Sequence, residues 1–450
     1  VSYVGLRTSG AFYLLAMGDA EAPEATRLLE ETKPSSKGEG LAELCGMAAM
    51  RSVPWTKDMN QGMVVIGIGY LFPIAAIWAA FDYWKLLFPD QNVEFAVTAL
   101  YQAGSILTVL ALSFVETFQF GPRILGGFAG QFLCLSVILG FKWLRCPPSL
   151  LYDLLLGVVL LCSVATGYLD SALLSLCSQY SSKMQAYLQI GLGFGTLVSV
   201  AYRDVTKLVA SEVSVASTAF FVVALATVLV CISAYRLLML LPASQHLRLP
   251  RGTSRADYGA ASTDGDASGE NAVAKVESGA TVGAVLSVVW FNQLVIFGNF
   301  FLTTLCYPGL ITAIPCKQMK SLDVDEWFQT ILLTVFAMFD IVARFCTHIR
   351  FGLDHGNVQY TVLLRALLVP LMLTSAVGAT SDFWSMVAVA AFGLLNGYSG
   401  SLSLIVINEI PTLTAEQRKT CGRLSACAVN GGLCLGSLVA SAMSTKLQLD

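Results

Sequence analysis

Residues 327–349 read WFQTILLTVFAMFDIVARFCTHI, an apolar run with two charged side chains inside it. An α-helix needs about 20 mostly apolar residues to cross the hydrocarbon core of a bilayer. Asp340 and Arg344 stand four residues apart, so they share one helix face, with the acid first, which is the favourable order. The stretch therefore predicts a membrane helix that keeps an ion pair in spite of its solvation cost.

The rest of the chain has the same character. Of its 450 residues, 55% are hydrophobic and 13% are charged, against about 25% charged in soluble proteins. Apolar runs bounded by charge, Pro or Gly predict eleven spans. These are residues 62–84, 95–115, 122–144, 150–176, 184–202, 213–241, 283–306, 327–349, 358–378, 383–408 and 421–445. A soluble domain is excluded, and the predicted fold class is an all-α polytopic membrane protein.

The spans fall into two groups. Residues 1–61 form a predicted tail, 62–241 a six-helix bundle and 283–450 a five-helix bundle. The segment 242–282 between the bundles is rich in Gly, Ala, Ser and Asp. It is too polar to cross lipid and too poor in large apolar residues to fold alone. We expect it to be a flexible loop that joins the two halves.

Basic residues indicate the orientation of the chain. They flank the first span and the entry to the long loop, with an even number of spans between the two places; they are Arg51, Lys57, Arg236, Arg248, Arg251 and Arg255. The positive-inside rule makes that side cytosolic. We therefore expect a cytosolic N-terminus, an outer C-terminus at Asp450, and a location in the plasma membrane.

Composition and motifs also exclude several classes of function. A net charge of −3 leaves no basic field for nucleic acid. The sequence lacks a CxxC pair, HExxH, a Walker loop and a dinucleotide fingerprint, so we expect no metal, no cofactor and no enzyme activity. Cys146 and Cys316 fall on the same predicted side of the membrane, and whether they pair is left open.

Three ionisable residues lie well inside the predicted spans: Asp170, Asp340 and Arg344. Each is a functional-site candidate because charge is costly in hydrocarbon. Arg350 marks the cytosolic end of the eighth span, so Asp340 lies roughly 15 Å deeper, near the midplane. The pair has two interpretations. It is either internal glue between helices or a substrate site, in which the carboxylate accepts hydrogen bonds from a sugar diol.

Asp170 differs from Asp340 because its own helix offers no basic partner. It either meets a charge from another span or holds a proton at rest. A lone acid of this kind would suit proton coupling, and the competing interpretation is a hydrogen-bonded neutral acid.

The tenth span contains Asn396-Gly397-Tyr398-Ser399-Gly400-Ser401, a run of small and polar groups. Such a run must face protein or a cavity rather than lipid. Gly397-Tyr398-Ser399-Gly400 also matches the GxSG signature of intramembrane serine proteases. That chemistry needs a membrane His after the Ser, and the chain has His only at 246, 348 and 355. The protease interpretation is therefore rejected.

Taken together, these residues resemble the equilibrative nucleoside transporter family. Phe339-Asp340-Ile341-Val342-Ala343-Arg344 is similar to its FDxxxR motif, and Asn396-Gly397-Tyr398 to its NGY motif. Leu364-Arg365-Ala366-Leu367-Leu368-Val369-Pro370-Leu371 is similar to its ARxxxxPL stretch, and Tyr307-Pro308-Gly309 to its FPxV break. The first span departs from the family's LxPWN pattern, since it reads Leu71-Phe72-Pro73-Ile74-Ala75. Trp78 stands one turn further on, where its indole is available instead.

The resemblance implies a major-facilitator-like pair of bundles. They would carry purine nucleosides such as adenosine or inosine, or nucleobases, by alternating-access facilitated diffusion. The expected partners are that small molecule and the lipid bilayer, with no obligate protein partner. The implied substrate-binding residues are Asp340, Arg344, Asp170, Asn396, Trp78, Gln189 and Ser399. Two alternatives stay open: a proton-coupled symporter that uses Asp170, and a membrane receptor that does not transport.

Overall fold

The computed structural model describes residues 57–91, 93–113, 120–144, 146–180, 182–210, 212–241, 282–322 and 326–447. Within these ranges, eleven helices are long and apolar enough to cross a membrane, which confirms the predicted count. They are α1 (Met59–Ala79), α2 (Val93–Leu112), α3 (Phe120–Trp143), α4 (Pro148–Ser178), α5 (Lys183–Val209), α6 (Val213–Leu240), α7 (Val282–Thr312), α8 (Trp327–His348), α9 (Gln359–Ala376), α10 (Asp382–Glu409) and α11 (Gln417–Lys446). Most of the predicted tail and loop, and Asp450, lie outside the described residues.

Within each half, the most extensive packing mostly joins helices that are not consecutive in the chain. In the first half α1 packs on α5 and α6, while α4 packs on α2 and α3. In the second half α7 packs on α11, and α8 packs on α10. Among the described residues, the helix pairs that join the halves include α2 with α11, α4 with α11, α5 with α8 and α5 with α10. The seam between the halves therefore runs along α2, α4, α5, α8, α10 and α11.

Small residues bring α1 and α5 together. A Cβ atom added at Gly67 would lie 2.6 Å from the carbonyl oxygen of Leu188, and one at Gly191 would collide with the carbonyl of Val64. Small residues at such positions let helices approach closely when lipid supplies no hydrophobic drive. Gly126 differs, since a Cβ added there would have nothing within 4 Å.

Several helix ends differ from the prediction. The first helix ends at Ala79, and Phe81–Leu87 form a separate short helix. The fifth continues to Val209, beyond the predicted end at 202, because its charged residues after 202 are paired with neighbours. The tenth span is one continuous helix, Asp382–Val406, in which the Ser399 hydroxyl donates to the carbonyl of Leu395. Its small and polar run is buried, as predicted.

The predicted break in the seventh span is confirmed. The helix ends at Cys306, and a short helical turn, Gly309–Thr312, follows Tyr307-Pro308. The ninth span consists of two short helices, Gln359–Ala366 and Val369–Ala376. Pro370 is the second residue of the later one, a position near the start of a helix where the missing N–H of proline removes no helical hydrogen bond.

Candidate functional site

Asp340 and Arg344 form an ion pair along one face of α8, as their spacing predicts. Arg344 Nε lies 2.7 Å from Asp340 Oδ2, and its Nη2 lies 3.4 Å from Oδ1. The Asp340 side chain is 2% exposed and that of Arg344 is 12% exposed. A paired and hydrogen-bonded charge is the form in which a buried ion persists.

Asn396 of α10 also supports the carboxylate of Asp340. Its Nδ2 donates to Asp340 Oδ1 at 2.6 Å. The next residue, Gly397, has no room for a side chain because a Cβ there would collide with the carbonyl oxygen of Asp340. Glycine thus lets α10 approach α8 closely enough for the amide to reach the acid.

The guanidinium of Arg344 joins the two halves of the protein. Its Nη1 donates to two oxygens of Gln189 in α5, to Oε1 at 2.9 Å and to the backbone carbonyl at 3.1 Å. The same Nη1 lies 3.2 Å from Ser401 Oγ of α10. Gly193, one turn after Gln189, leaves space for the arginine stem, since a Cβ there would lie 2.6 Å from Arg344 Cδ. The predicted pair is therefore a bridge across the seam.

Arg365 of α9 is a member of this network that was not predicted as a site residue. Its Nη2 donates to Asn396 Oδ1 at 2.5 Å and to Thr303 Oγ1 at 3.0 Å. Its Nη1 donates to the carbonyl of Asn299 at 2.7 Å. The side chain is fully buried, over the ring of Phe392. The sequence signal for this role was a charged residue in a leucine-rich predicted span, because an arginine inside a membrane needs polar partners.

A row of aromatic rings leads from this network into the first half. Phe336 lies one helical turn before Asp340 and stacks on Tyr307, with ring centroids 4.4 Å apart and planes at 17°. Tyr307 meets Trp78 edge to face at 5.7 Å, and Trp78 meets Tyr101 at 6.2 Å. Trp78, predicted as a site residue, therefore stands in the middle of the row. Flat rings of this kind offer stacking surfaces to a planar base.

Asp170 of α4 lies at the far end of the aromatic row, near Tyr101. Asn430 Nδ2 of α11 donates to Asp170 Oδ2 at 2.5 Å, and Ser105 Oγ of α2 lies 3.5 Å from the same oxygen. The Tyr70 hydroxyl also faces the carboxylate. Within the described ranges, its hydrogen-bond partners are thus an amide and hydroxyls rather than the basic group that one interpretation required.

Some of the buried polar atoms without hydrogen-bond partners lie near these two acids. On the face of α5 that carries Gln189, the Nε2 atoms of Gln185 and Gln189 have no partner in the described part of the chain. Near Asp170 the same holds for Asp170 Oδ1, Tyr101 OH and Trp78 Nε1. Proteins pair almost all buried polar groups. A polar ligand bound between the acids could supply partners to these atoms.

Ser399, the remaining predicted site residue, stands on a different side of α10. Its hydroxyl donates to the carbonyl of Leu395, and its own carbonyl accepts from Asn299 Nδ2 at 3.3 Å. Ser401, two residues later, is the serine that contacts Arg344. A shift of two residues on a helix turns a side chain by about 200°, so the motif alone did not decide between them.

A second buried charge cluster was missing from the prediction. Arg203 of α5 donates from Nη2 to both carboxylate oxygens of Asp82 at 2.7 Å. Lys207 Nζ lies 3.3 Å from Asp82 Oδ2. Arg203 also donates to Ser217 Oγ of α6 at 3.0 Å. The prediction had placed Asp82 and Arg203 at the ends of spans, where charges are ordinary. The spacing of four between Arg203 and Lys207 was the usable signal, since it puts both cations on one face.

The described residues contain no group of three or more His, Cys, Asp or Glu side chains that could hold a metal ion. Cys146 and Cys316, whose pairing the sequence left open, are not joined by a disulfide, and the Cys316 thiol donates to the carbonyl oxygen of Met319 at 3.2 Å.

The known proteins that this chain resembles in sequence are nucleoside and nucleotide transporters. The model of the nucleoside transporter family matches residues 156–445. Equilibrative nucleotide transporter 8 of Arabidopsis thaliana is 22% identical over 390 residues, which cover 83% of this chain and 92% of that protein. Nucleoside transporter 2 of Leishmania donovani is 29% identical over 168 residues, which cover 37% of this chain and 32% of that protein.

Solved structures match the fold. The proton:xylose symporter XylE, of the major facilitator superfamily, superposes with a TM-score of 0.60 at 13% identity, covering 87% of this chain and 89% of that chain. A bacterial homologue of the iron transporter ferroportin superposes with a TM-score of 0.53 at 12% identity, covering 86% and 98%. The major-facilitator-like fold is thereby confirmed, and the relatives and structural neighbours are transporters rather than enzymes.

Proposed function

The chain belongs to the nucleoside transporter family, and from this premise we propose that it carries purine nucleosides across the membrane by facilitated diffusion with alternating access. The observation that carries the proposal is the buried bridge from Asp340 through Arg344 to Gln189. It lies on the seam between the halves, the place where carriers of this fold hold substrate. Unpartnered buried donors and acceptors surround it.

The ribose of a nucleoside fits the chemistry of Asp340. Each carboxylate oxygen can accept two hydrogen bonds, and Arg344 and Asn396 use only part of that capacity. Arg344 Nε and Nη2 and Asn396 Nδ2 occupy three of the four acceptor positions. One ribose hydroxyl can therefore donate to Oδ2 beside the cation, and its neighbour can donate to Oδ1 once the 3.4 Å contact of Arg344 Nη2 opens. The unpartnered Nε2 of Gln189 supplies a donor to the ring oxygen or a hydroxyl of the sugar.

The same contacts couple substrate to the movement of the halves. Arg344 belongs to α8 in the second half, while Gln189 belongs to α5 in the first. When a ligand takes up the hydrogen-bonding capacity of Gln189 and Asp340, the bridge across the seam changes its partners. A ligand shifts a conformational equilibrium only if it binds one state better, and this bridge supplies that difference.

We place the Arg350 end of α8 in the cytosol of a plasma-membrane protein with a cytosolic N-terminus and an outer C-terminus. Basic residues gather at that end of the described helices; they are Arg123, Lys183, Arg236, Arg350, Arg418, Lys419 and Arg423. The opposite end carries Lys85, Lys142, Lys317, Lys320 and Lys446, together with Arg203 and Lys207, which are paired with Asp82 inside the protein. Without those two paired residues, the bias follows the positive-inside rule.

Reconstitution in liposomes tests the function directly. Purified protein should accelerate entry of labelled inosine and adenosine into vesicles without any ion gradient, because a facilitated carrier needs only the substrate gradient. An unlabelled purine nucleoside should compete, and vesicles without protein are the blank. Saturable binding without flux would instead support a receptor, and neither binding nor flux of any nucleoside or nucleobase would end the proposal.

A proton-coupled symporter is a second candidate, and the environment of Asp170 favours it. The carboxylate is 3% exposed and its hydrogen-bond partners in the described ranges are neutral. An unpaired buried charge is costly, so binding a proton removes much of that cost. A carboxyl group that gains and loses a proton between the two halves is a suitable coupling group.

If Asp170 couples transport to protons, nucleoside uptake should rise when the outer medium is made more acidic than the vesicle lumen, and a protonophore should cancel the increase. Protonation would neutralise the acid before the halves close over it. The variant Asp170→Asn should keep uptake along a substrate gradient but lose this dependence. If wild-type uptake depends on neither the pH gradient nor the protonophore, the symporter is excluded and the facilitated carrier is retained.

A further inference from the structure

We propose that a groove between α7 and α11 binds one anionic phospholipid, with an acyl chain between the two helices and the phosphate against Arg423. The groove has a volume of about 400 Å³, and its walls include Leu286, Trp290, Gln293, Phe297, Leu424 and Ala428. Both helices belong to the second half. The inference does not depend on which substrate the protein carries.

The first argument is the depth of the groove in the bilayer. Asn292 Nδ2 donates at 2.6 Å to the carbonyl of His355, in the connection between α8 and α9. This part of α7 therefore lies at the Arg350 end of the molecule, at the boundary between membrane and water. Trp290 is 57% exposed there, and tryptophan is enriched at that boundary. Phe297 lies about 10 Å further along the helix, so the groove runs from the headgroup level into the hydrocarbon, as an acyl chain does.

The second argument is the positive charge at the mouth of the groove. Thr420, Leu424 and Ala428 follow at intervals of four, so they share one face of α11. Arg423 Nη2 donates to Thr420 Oγ1 at 3.2 Å, which holds the guanidinium one turn before Leu424. Arg423 Nε is buried without a partner in the described part of the chain, and the charge of Arg123 in α3 repels the same group. A phosphate matches the forked donors of a guanidinium, and anionic lipids are abundant in the cytosolic leaflet.

The third argument is a buried amide oxygen in the wall of the groove. Gln293 is 7% exposed, and its Nε2 donates to Ser425 Oγ at 3.2 Å. Its Oε1 has no partner among the described residues. Proteins pair almost all buried polar groups, so an occupant that donates a hydrogen bond fits this position. The inositol hydroxyls of phosphatidylinositol supply such donors beside the phosphate, whereas the choline headgroup of phosphatidylcholine carries none.

Competition between two lipids on the purified full chain tests the site. The protein is exchanged into mixed micelles that hold equal amounts of phosphatidylinositol and phosphatidylcholine with the same chains, and the retained lipid is counted by native mass spectrometry. One phosphatidylinositol should remain on each protein, with a preference of about tenfold or more. Arg423→Gln should lower that preference by about tenfold. Arg418→Gln is the matched control and should keep the wild-type preference, because Arg418 Nε contacts the carbonyl of Leu413 ahead of the helix.

A second variant blocks the groove and leaves every charge in place. Ala428→Phe fills the path of the acyl chain from the wall of the groove, so phosphatidylinositol should no longer be retained while the thermal stability of the protein is kept.

A measurement on the wild-type protein does not depend on the folding of a variant. Glycerophosphoinositol carries the headgroup without acyl chains, so an excess of it should not displace the lipid, because burial of each methylene adds to the affinity. Displacement by this soluble headgroup would indicate an anion site, and displacement by an equal amount of cholesterol would indicate a sterol site. Either result, equal retention of the two phospholipids, or an unchanged preference in Arg423→Gln would overturn the assignment.

Discussion

Replacing Asp340 by Asn should reduce nucleoside uptake by about 100-fold or more. The carboxylate offers the acceptors for two ribose hydroxyls, and hydrogen bonds to a charged group are worth about 1.5–3 kcal/mol each. An amide loses the charge and one acceptor. The change also releases Arg344, whose Nε donates to Asp340 Oδ2 at 2.7 Å. The measurement is the initial rate of inosine uptake, normalised to the amount of protein in the membrane.

A second variant separates the loss of binding from loss of folding. Removing one partner of a buried ion pair costs about 3–5 kcal/mol, because an unpaired charge remains. The double change Asp340→Asn with Arg344→Gln removes both charges, so it should recover thermal stability relative to the single variant while uptake stays absent. If the double variant recovers uptake, the pair only holds the helices together, which is the other interpretation that the sequence allowed.

The matched control lies at the end of the same helix. Arg350 and Glu409 form an ion pair at 2.8 Å, close to the 2.7 Å of the buried pair, but their side chains are 34% and 38% exposed. An exposed pair contributes about 0–1 kcal/mol. Glu409→Gln should therefore keep uptake within about twofold of the wild type. Equal losses in Glu409→Gln and Asp340→Asn would contradict a special role for the buried acid.

The sequence predicted the membrane fold and the charged centre because both depend on solvation. A run of about 20 apolar residues has few alternatives to a membrane helix, and a charge inside it must be paired. The contact between Asp340 and Arg344 could be predicted because a spacing of four places two side chains on the same face of any helix. The structure keeps that relation and adds Asn396 and Gln189, which the family resemblance had implied.

Contacts between distant helices could not be predicted in the same way. The partner of Asp170 is Asn430, 260 residues away, and nothing in either span indicates which face meets the other. Arg365 and Arg203 each lie in or at the end of a span, and their burial depends on acceptors from other helices. The sequence also did not indicate that Ser401 contacts Arg344, because Ser399 and Ser401 face different neighbours on one helix.

Locking Lys85 to Glu326 should stop transport completely. Lys85 lies in the short helix after α1, in the first half, and Glu326 directly precedes α8, in the second half; Nζ and Oε1 are 3.1 Å apart. Below this pair, Lys207 donates to Thr330 Oγ1 at 3.2 Å, and Thr334 donates to Asp204 Oδ2 at 2.8 Å. All these contacts cross the seam at the end of the molecule opposite Arg350. If the halves part there to admit substrate, all of them must separate.

The cost of that separation is small enough for a working carrier. Each of the two hydrogen bonds has one charged partner, Lys207 or Asp204, and contributes about 1.5–3 kcal/mol, while an exposed ion pair contributes about 0–1 kcal/mol, so the contacts together amount to about 3–7 kcal/mol. Lys207 stays paired with Asp82, 3.3 Å away in its own half, when Thr330 leaves. The halves can therefore part without exposing an unpaired cation to the seam. The equilibrium lies within the range that a bound substrate can shift.

A pair of cysteines at Lys85 and Glu326 makes the prediction testable. After oxidation, or after treatment with a short bifunctional thiol reagent, the double variant should lose uptake, and the disulfide form should regain it on reduction. The single variants Lys85→Cys and Glu326→Cys report any reaction with native thiols, of which Cys316 is half-buried in the same connection as Glu326. The matched double variant Arg350→Cys with Glu409→Cys joins two residues of one half, so linking it should leave uptake unchanged. Full uptake by the linked Lys85–Glu326 variant would mean that the halves do not part at this end, and it would contradict alternating access through this entrance.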